Sequence, residues 1–288
     1  MNIVQNRKIW FSISGIILII GLVLGVIRGV NLGIDFTGGT LMEIEFHKYI
    51  SAEEVREITD KYDKNSNISM LGADKTTVQI RMNEDFNNEE RKEIFEDFKT
   101  KYNLVDEDLL RANQFGPSVG REIQSKALLA IIISVAGMLI YIAFRFEMSF
   151  AISAIIALTH DVLIVLAMYS ILQVPINSPF VAAILTILGY SINDTIVIFD
   201  RIRENLKFAG KKVDYEKIAD DSIRQSLGRS INTSLTTLVT ISALYILGVE
   251  QIREFALPLI VGVIAGTYSS IFIASPLWTM VKQKQRAK

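Results

Sequence analysis

The residues best placed to do chemistry in this 288-residue chain are carboxylates that lie inside apolar runs. Asp194, preceded by Asn193, sits in the stretch Gly189 to Asn205, GYSINDTIVIFDRIREN, six residues before the charged block that opens at Asp200. At ~1.5 Å of rise per residue this is on the order of 9 Å of helix, which is membrane depth. An ionisable group there costs roughly 2.5 to 3.5 kcal/mol on insertion scales, so its presence points to function. In the same run Thr186, Tyr190, Asp194 and Arg201 follow at steps of four, four and seven and share one helical face. A later apolar run answers with Arg229, Thr233, Thr236 and Thr240, at steps of four, three and four, with Asn232 beside them. A third run carries His160 and Asp161 near its middle.

Two kinds of chemistry fit these groups. In the first, Arg229 extends its long side chain to Asp194 as a fixed ion pair, and the threonines satisfy neighbouring backbone. In the second, the carboxylate is a proton relay. Desolvation favours its neutral form, a nearby guanidinium favours its charged form, and movement of the guanidinium switches it. Arginine stays charged throughout, so Arg229 suits the counter-ion role. Asp161 is a second candidate acid. His160 beside it titrates in the right range in water, or else is a hydrogen-bonded packing residue. An intramembrane aspartyl protease would carry G-x-G-D, whereas Asp194 follows Ser191, Ile192 and Asn193, and Asp161 follows Leu158, Thr159 and His160.

Composition removes other classes. The absence of cysteine excludes disulfides and thiolate chemistry. Only His47 and His160 are available, too few for a histidine-rich metal site. No long basic tract suggests nucleic acid. No cofactor is expected; the proton would be the coupling ion.

Half of the chain is hydrophobic, too apolar for an ordinary soluble domain. Six runs are long enough to span a membrane: about Ile9 to Ile27, Ile123 to Phe144, Met148 to Ile171, Phe180 to Asp200, Ile231 to Gly248 and Phe255 to Val281. The first has no small-residue cleavage site and carries Gly21, Gly25 and Gly29 at helix-packing spacing, so it reads as a retained span. Ser178 and Pro179 read as an N-cap and first helical position. Asp214 to Leu227 reads either as an amphipathic helix on the membrane surface or as a solvated linker. Gly262 and Gly266 form a small-xxx-small packing pair.

Residues 31–120 differ in character. Leu41 to His47 alternates Met42, Ile44 and Phe46 with Glu43, Glu45 and His47, a strand with one buried face. Ser51 and Glu54 form a capping box before a helix reaching about Asp63. Asn67 to Leu71 and Thr76 to Met82 read as a hairpin, Asn87 to Tyr102 as a helix and Leu109 to Phe115 as a strand. This β-α-β-β-α-β order is that of ferredoxin-like domains. The expected fold is a polytopic α-helical membrane protein with six transmembrane helices and one extracytoplasmic α+β domain between helices one and two. Its parts are 1–30 (amino terminus and first helix), 31–120 (the α+β domain), 121–281 (helices two to six, with a connection at about 201–230) and 282–288 (a basic tail).

Charge orients it. Arg7 and Lys8, the connection with Arg201, Arg203, Lys207, Lys211, Lys212, Lys217, Arg224 and Arg229, and the tail with Lys282, Lys284, Arg286 and Lys288 all fall on one side of a six-span arrangement. The opposite connections, Gln173 to Pro179 and Glu250 to Glu254, are nearly free of basic residues. Both termini are therefore expected in the cytoplasm, with Trp10 and Trp278 at that interface.

Taken together, several segments resemble the SecF family of the bacterial Sec translocation machinery, a branch of the RND superfamily. They are DFTGGT (Asp35 to Thr40), FGPSVG (Phe115 to Gly120), Arg145 with Phe146, His160 with Asp161, GYSINDTIVIFDRIREN, and RSINTSLTT (Arg229 to Thr237). The resemblance implies a multi-pass protein of the bacterial cytoplasmic membrane that pairs with SecD and associates with the SecYEG channel. It also implies contact with translocating preprotein, membrane lipid and YidC, and use of the proton motive force in the late stages of export. By the same resemblance Asp194 corresponds to the family's essential membrane carboxylate and Arg229 to the arginine that responds to it.

The segments around Asp35, Gly38 and Gly39 and around Gly116 and Pro117 read as joints between membrane helices and the outer domain, or as tight turns without a mechanical role. Two other function classes stay open: an RND-type proton-coupled exporter of small molecules or lipids, and an assembly scaffold without proton transfer.

Overall fold

The structure, a computed structural model, describes residues 2–72, 74–210 and 213–286. Lys211, Lys212 and Lys288, counted above among the basic residues, lie outside the described residues. The chain forms two compact units, 32–128 and 1–31 with 129–288.

The smaller unit opens with a single turn, α2 (Ile34–Thr37), and continues β1 (Gly39–Glu45), α3 (Ala52–Thr59), β2 (Asn67–Leu71), β3 (Thr77–Met82), α4 (Asn88–Tyr102) and β4 (Leu109–Phe115). The strands form one antiparallel sheet in the order β2-β3-β1-β4. Alternation drives this arrangement. Met42, Ile44 and Phe46 from β1 and its end meet Val78, Ile80 and Met82 from β3, and α3 and α4 cover them with Val55, Ile58, Ile94, Phe95 and Phe98. Both helices start with a reciprocal capping box, Ser51 with Glu54 as the sequence announces, and Asn87 with Glu90, which the structure adds. Two details differ from expectation. The first helix stops at Thr59, because Asp60 caps it and a turn of i→i+3 bonds follows. Glu43, placed by alternation on the solvent face, is buried, since Gln79 donates to it across the ladder and Arg111 reaches it from β4.

The larger unit contains α1 (Arg7–Arg28), α6 (Met148–Leu172), α7 (Ser178–Lys207), α8 (Tyr215–Leu247), α9 (Glu250–Ser269), a π turn (Ser270–Ala274) and α10 (Ser275–Arg286). The helix α5 (Pro117–Arg145) contributes its second half to this unit. Six helical segments among the described residues are long and apolar enough to cross a membrane. Around α7 pack α8 and α9, and α6 joins α1 to α9. Small residues set these distances. A Cβ on Gly21 would stand 2.3 Å from Ala167 Cβ, and one on Gly262 would stand 2.2 Å from Ile187 Cδ1.

Three boundaries are corrected. The N-cap of α7 is Asn177, whose side chain accepts from the Phe180 N–H, with Ser178 and Pro179 as its first two helical residues. Asp214 to Leu227 is neither a separate surface helix nor a linker. Asp214 caps it, and it runs without a break into the fifth span, with Ala219, Ser222, Ile223 and Ser226 turned inward. The sixth span changes pitch at Ser270–Ala274. Pro276, lacking an N–H, cannot donate to Phe272 O one α-turn before it, and in the same stretch the Ser275 hydroxyl donates to Ser270 O at 3.2 Å. Trp278, expected at the cytoplasmic interface, is enclosed by protein. It is fully buried, stacked on Phe150 with ring centroids 5.0 Å apart and met edge-on by Tyr215.

Candidate functional site

Two buried carboxylates organise the helix core. Asp194, 8% exposed, projects from α7 toward α8, where Ser230 Oγ donates to its Oδ1 at 2.6 Å. Its other oxygen, Oδ2, is buried and has no hydrogen-bond partner among the described residues. Beside it, Thr195 Oγ1 and Ser270 Oγ are bonded at 2.8 Å. Asp161, on α6, is completely buried and fully engaged. Its Oδ1 meets His160 Nδ1 at 3.0 Å, and its Oδ2 accepts from Ser191 on α7 at 2.5 Å and Ser269 on α9 at 2.9 Å. His160 Nε2 meets Ser14 Oγ on α1 at 2.9 Å. One hydrogen-bonded chain thus links α1, α6, α7 and α9.

The difference between these acids is chemical. A carboxylate has about four acceptor sites on its two oxygens. Asp161 uses both oxygens, which suits a fixed structural group. Asp194 has one oxygen satisfied and one bare, and an unsatisfied buried polar group costs about 1–3 kcal/mol. Taking up a proton at Oδ2 removes the buried charge, so Asp194 has a reason to change state that Asp161 lacks.

Arg229 does not make the expected pair. Its side chain is exposed, and no ion pair joins it to Asp194 among the described residues; its sequence neighbour Ser230 occupies that place. The threonine stripe is also turned away. Thr233, Thr236 and Thr240 are exposed and donate to carbonyls one turn back on their own helix, at 2.9 to 3.0 Å, and Asn232 is exposed beside them. On α7, Asn193 and Thr186 face outward too, Thr186 donating to Ala182 O. Arg201 bonds Gln225 and Glu204, away from the acid. Of that face, Tyr190 points into the core, its hydroxyl donating to Ser234 at 3.2 Å, and Ser234 bonds Thr267 of α9 at 2.5 Å.

The inward face of α8 is instead a serine ladder, Ser222, Ser226, Ser230 and Ser234, at steps of four. Residue-type reasoning passed over these serines. Their uniform spacing and small size in an apolar helix are the signal that could have revealed them.

At the entry and exit of the smaller unit, DFTGGT and FGPSVG interlock. Gly38 and Gly39 adopt φ of +79° and +121°, and a Cβ on Gly39 would lie 2.3 Å from Met82 O. Asp35 lies in the α2 turn, and Pro117 opens α5 directly after Gly116. The glycine on the return that close approach requires is Gly120, where a Cβ would meet Phe36 O at 2.6 Å. At Gly116 a Cβ would meet only Asp85 Oδ2 at 3.6 Å. Gln124 Nε2 completes the lock by donating to Phe36 O at 2.7 Å. No cluster of three or more potential metal ligands occurs among the described residues.

Comparison with known proteins gives a consistent result. Residues 94–284 match the family described as protein export membrane protein SecD/SecF, C-terminal, and residues 23–49 match the SecD/SecF GG motif. Among curated relatives, the protein translocase subunit SecF of Sebaldella termitidis is 39% identical over 98% of this chain and 92% of its own length. That of Calditerrivibrio nitroreducens is 40% identical over 99% of this chain and 95% of its own. The crystal structure of SecDF, a translocon-associated membrane protein from Thermus thermophilus, superposes with a TM-score of 0.89 at 34% identity. That match covers 98% of this chain and 39% of the SecDF chain. A structure of SecDF in a super-membrane-facing form gives 0.72 at 33% identity over 100% of this chain and 39% of that one.

Proposed function

The chain belongs to the SecD/SecF family of protein export membrane proteins, and from that premise we propose that it is a subunit coupling the proton motive force to late preprotein translocation. It acts with SecD at the SecYEG channel, in contact with preprotein, lipid and YidC. No cofactor takes part; the coupling ion is the proton. The membrane spans lie in the bacterial cytoplasmic membrane with both termini in the cytoplasm, and residues 31–120 form an extracytoplasmic, ferredoxin-like domain. The β-α-β-β-α-β order and the β2-β3-β1-β4 sheet support that fold reading, and the positive-inside bias supports the orientation.

The observation that carries the proton reading is the bare, buried Oδ2 of Asp194. A proton arriving there neutralises the acid and changes what α7 presents to α8 and α9. The membrane potential supplies about 2.3 kcal/mol per charge per 100 mV, enough to bias such a change. Arg229 neighbours Ser230, and adjacent helical residues are ~100° apart around the axis. A rotation of α8 of that order exchanges the hydroxyl for the guanidinium and returns the carboxyl to its charged form. Asp161 and His160 hold the helices that frame this movement, and the glycine joints at 34–39 and 116–120 mark the chain's entry to and exit from the moving domain.

The test is potential-dependent preprotein export in vesicles holding this chain, a SecD partner and the translocon, comparing wild type with Asp194→Asn at matched assembly. Loss of the potential-driven part alone is expected, with Arg229→Ala behaving alike. Undiminished export in Asp194→Asn would leave a scaffold whose buried acid is structural.

A further inference from the structure

The hydroxyls around Asp194 have a fixed number of protons, and counting them assigns a role to the π turn. A serine or threonine hydroxyl donates one hydrogen bond and accepts two. Ser230 spends its proton on Asp194 Oδ1 at 2.6 Å. Ser270 spends its proton on Gly266 O at 2.8 Å. Thr195 therefore donates to Ser270 across their 2.8 Å contact. Ser270 is left with one free lone pair, and it is bonded to Thr195, the residue next to Asp194 on α7, while Asp194 Oδ2 has no hydrogen-bond partner among the described residues. A charged Oδ2 faces an acceptor there; a protonated Oδ2–H faces a ready acceptor. Ser270 is fully buried, so water does not compete for that lone pair.

The surroundings supply no alternative reader. On α8 the charged group nearest in sequence is Arg229, which is exposed and unpaired with Asp194. On α6 the titratable groups are Asp161 and His160, engaged with Ser191, Ser269 and Ser14, and Tyr169, packed on Phe180 two turns further along. On α7 itself Tyr190 is directed to Ser234, and on α9 Tyr268 donates to Trp10 O. Ser269 and Ser270 are consecutive yet both fully buried at the start of the π turn. One serves Asp161 and the other bonds Thr195, the neighbour of Asp194, so the turn reaches the surroundings of both acids.

Resting on the proton-switch reading of Asp194, we propose that Ser270 is a positioning residue that accepts the hydrogen bond of protonated Asp194 Oδ2–H, so that the π turn of the sixth span senses the loading of the acid.

The test is acid-minus-alkaline difference infrared spectroscopy of the full chain in lipid nanodiscs. The protonated-carboxyl band that disappears in Asp194→Asn identifies the group. In Ser270→Ala the proton of Oδ2 loses its acceptor, and the band is expected to move to higher frequency. In Thr195→Val, which removes the other partner but keeps the Ser270 lone pairs, the band is expected to stay. A band unmoved in Ser270→Ala overturns the assignment, as does an equal displacement in Thr195→Val, which would reflect loosened packing. Absence of any Asp194-dependent band would instead refute the proton-switch reading itself, and the two failures are distinguishable.

Discussion

Replacing Gly120 with alanine probes the interlock at the entry and exit of the smaller unit. The new Cβ would stand 2.6 Å from Phe36 O, 3.0 Å from Phe36 C and 3.2 Å from Gly38 N, all backbone atoms that no rotamer change can move. Non-bonded contacts relax near ~3.5 Å, so the Phe36 carbonyl must retreat by about 0.9 Å. That carbonyl accepts from Gln124, and the same turn is closed by Gly38 N–H donating to Ile34 O at 2.9 Å. Overpacking costs about 1–3 kcal/mol and a lost hydrogen bond about 0.5–1.5 kcal/mol, so the turn is weakened by roughly 2–4 kcal/mol. At ~1.4 kcal/mol per factor of ten, amide exchange from Phe36 to Gly38 accelerates roughly 30-fold to several hundredfold. Hydrogen exchange read by mass spectrometry on peptides covering 33–40 of the full chain measures this. Gly116→Ala is the control: its Cβ meets one atom at ordinary contact distance, and its effect is expected within about 0.5 kcal/mol. Exchange in Gly120→Ala within twofold of wild type, or an equal effect from Gly116→Ala, would refute the close approach as the source of the lock.

Two further outcomes follow from geometry elsewhere. Asp108 accepts from the Val105 N–H at 2.8 Å and meets His47 Nε2 at 2.7 Å, and these bonds hold its carboxyl below the usual carboxylate range. The depressed folded-state value means that this contribution is present above the unfolded value of about 3.9 and is lost as pH falls through the folded one. Thermal unfolding of the smaller unit, followed against pH, should therefore decline more steeply below about pH 4 in wild type than in Asp108→Asn. The second concerns Trp278, which is fully enclosed, whereas Trp10 is half-buried against Phe272. Brominated lipids should quench a Trp278→Phe protein, which retains Trp10, and leave Trp10→Phe nearly unquenched. Equal quenching of both would return Trp278 to the lipid interface.

Much of the architecture was legible because its signals are local. Leu109 to Phe115, Asn67 to Leu71 and the Ser51–Glu54 capping box recur as expected, since alternation and a Ser-x-x-Glu spacing act within a few residues. The pair of acids was legible for a similar reason: a carboxylate in an apolar run is conspicuous by type. What each acid touches was not. Glu43 was assigned to solvent because alternation assumes one wet face, and Arg111, 68 residues away, covers it. The Asn177 cap was missed by one residue because Asn, Ser and Pro in succession all suit a helix start.

The larger miss lies on α8, and its cause is general to membrane helices. Threonine and asparagine attract attention as polar groups, yet a hydroxyl in a helix can return its proton to the carbonyl one turn back, as Thr233, Thr236 and Thr240 do. Such a residue no longer needs an inward partner, and polarity alone does not fix which way it points. Size does. The inward face of α8 takes Ser222, Ser226, Ser230 and Ser234 because a small side chain lets helices approach, and the hydroxyl then reaches a neighbouring helix, as Ser230 does to Asp194 on α7 and Ser234 to Thr267 on α9. The same logic places Ser191 opposite Gly266, whose Cβ would lie 2.9 Å from Ser191 Cβ. In this core the serines both set the spacing and carry the hydrogen bonds, so a shift of α8 changes packing and the partner of the acid together.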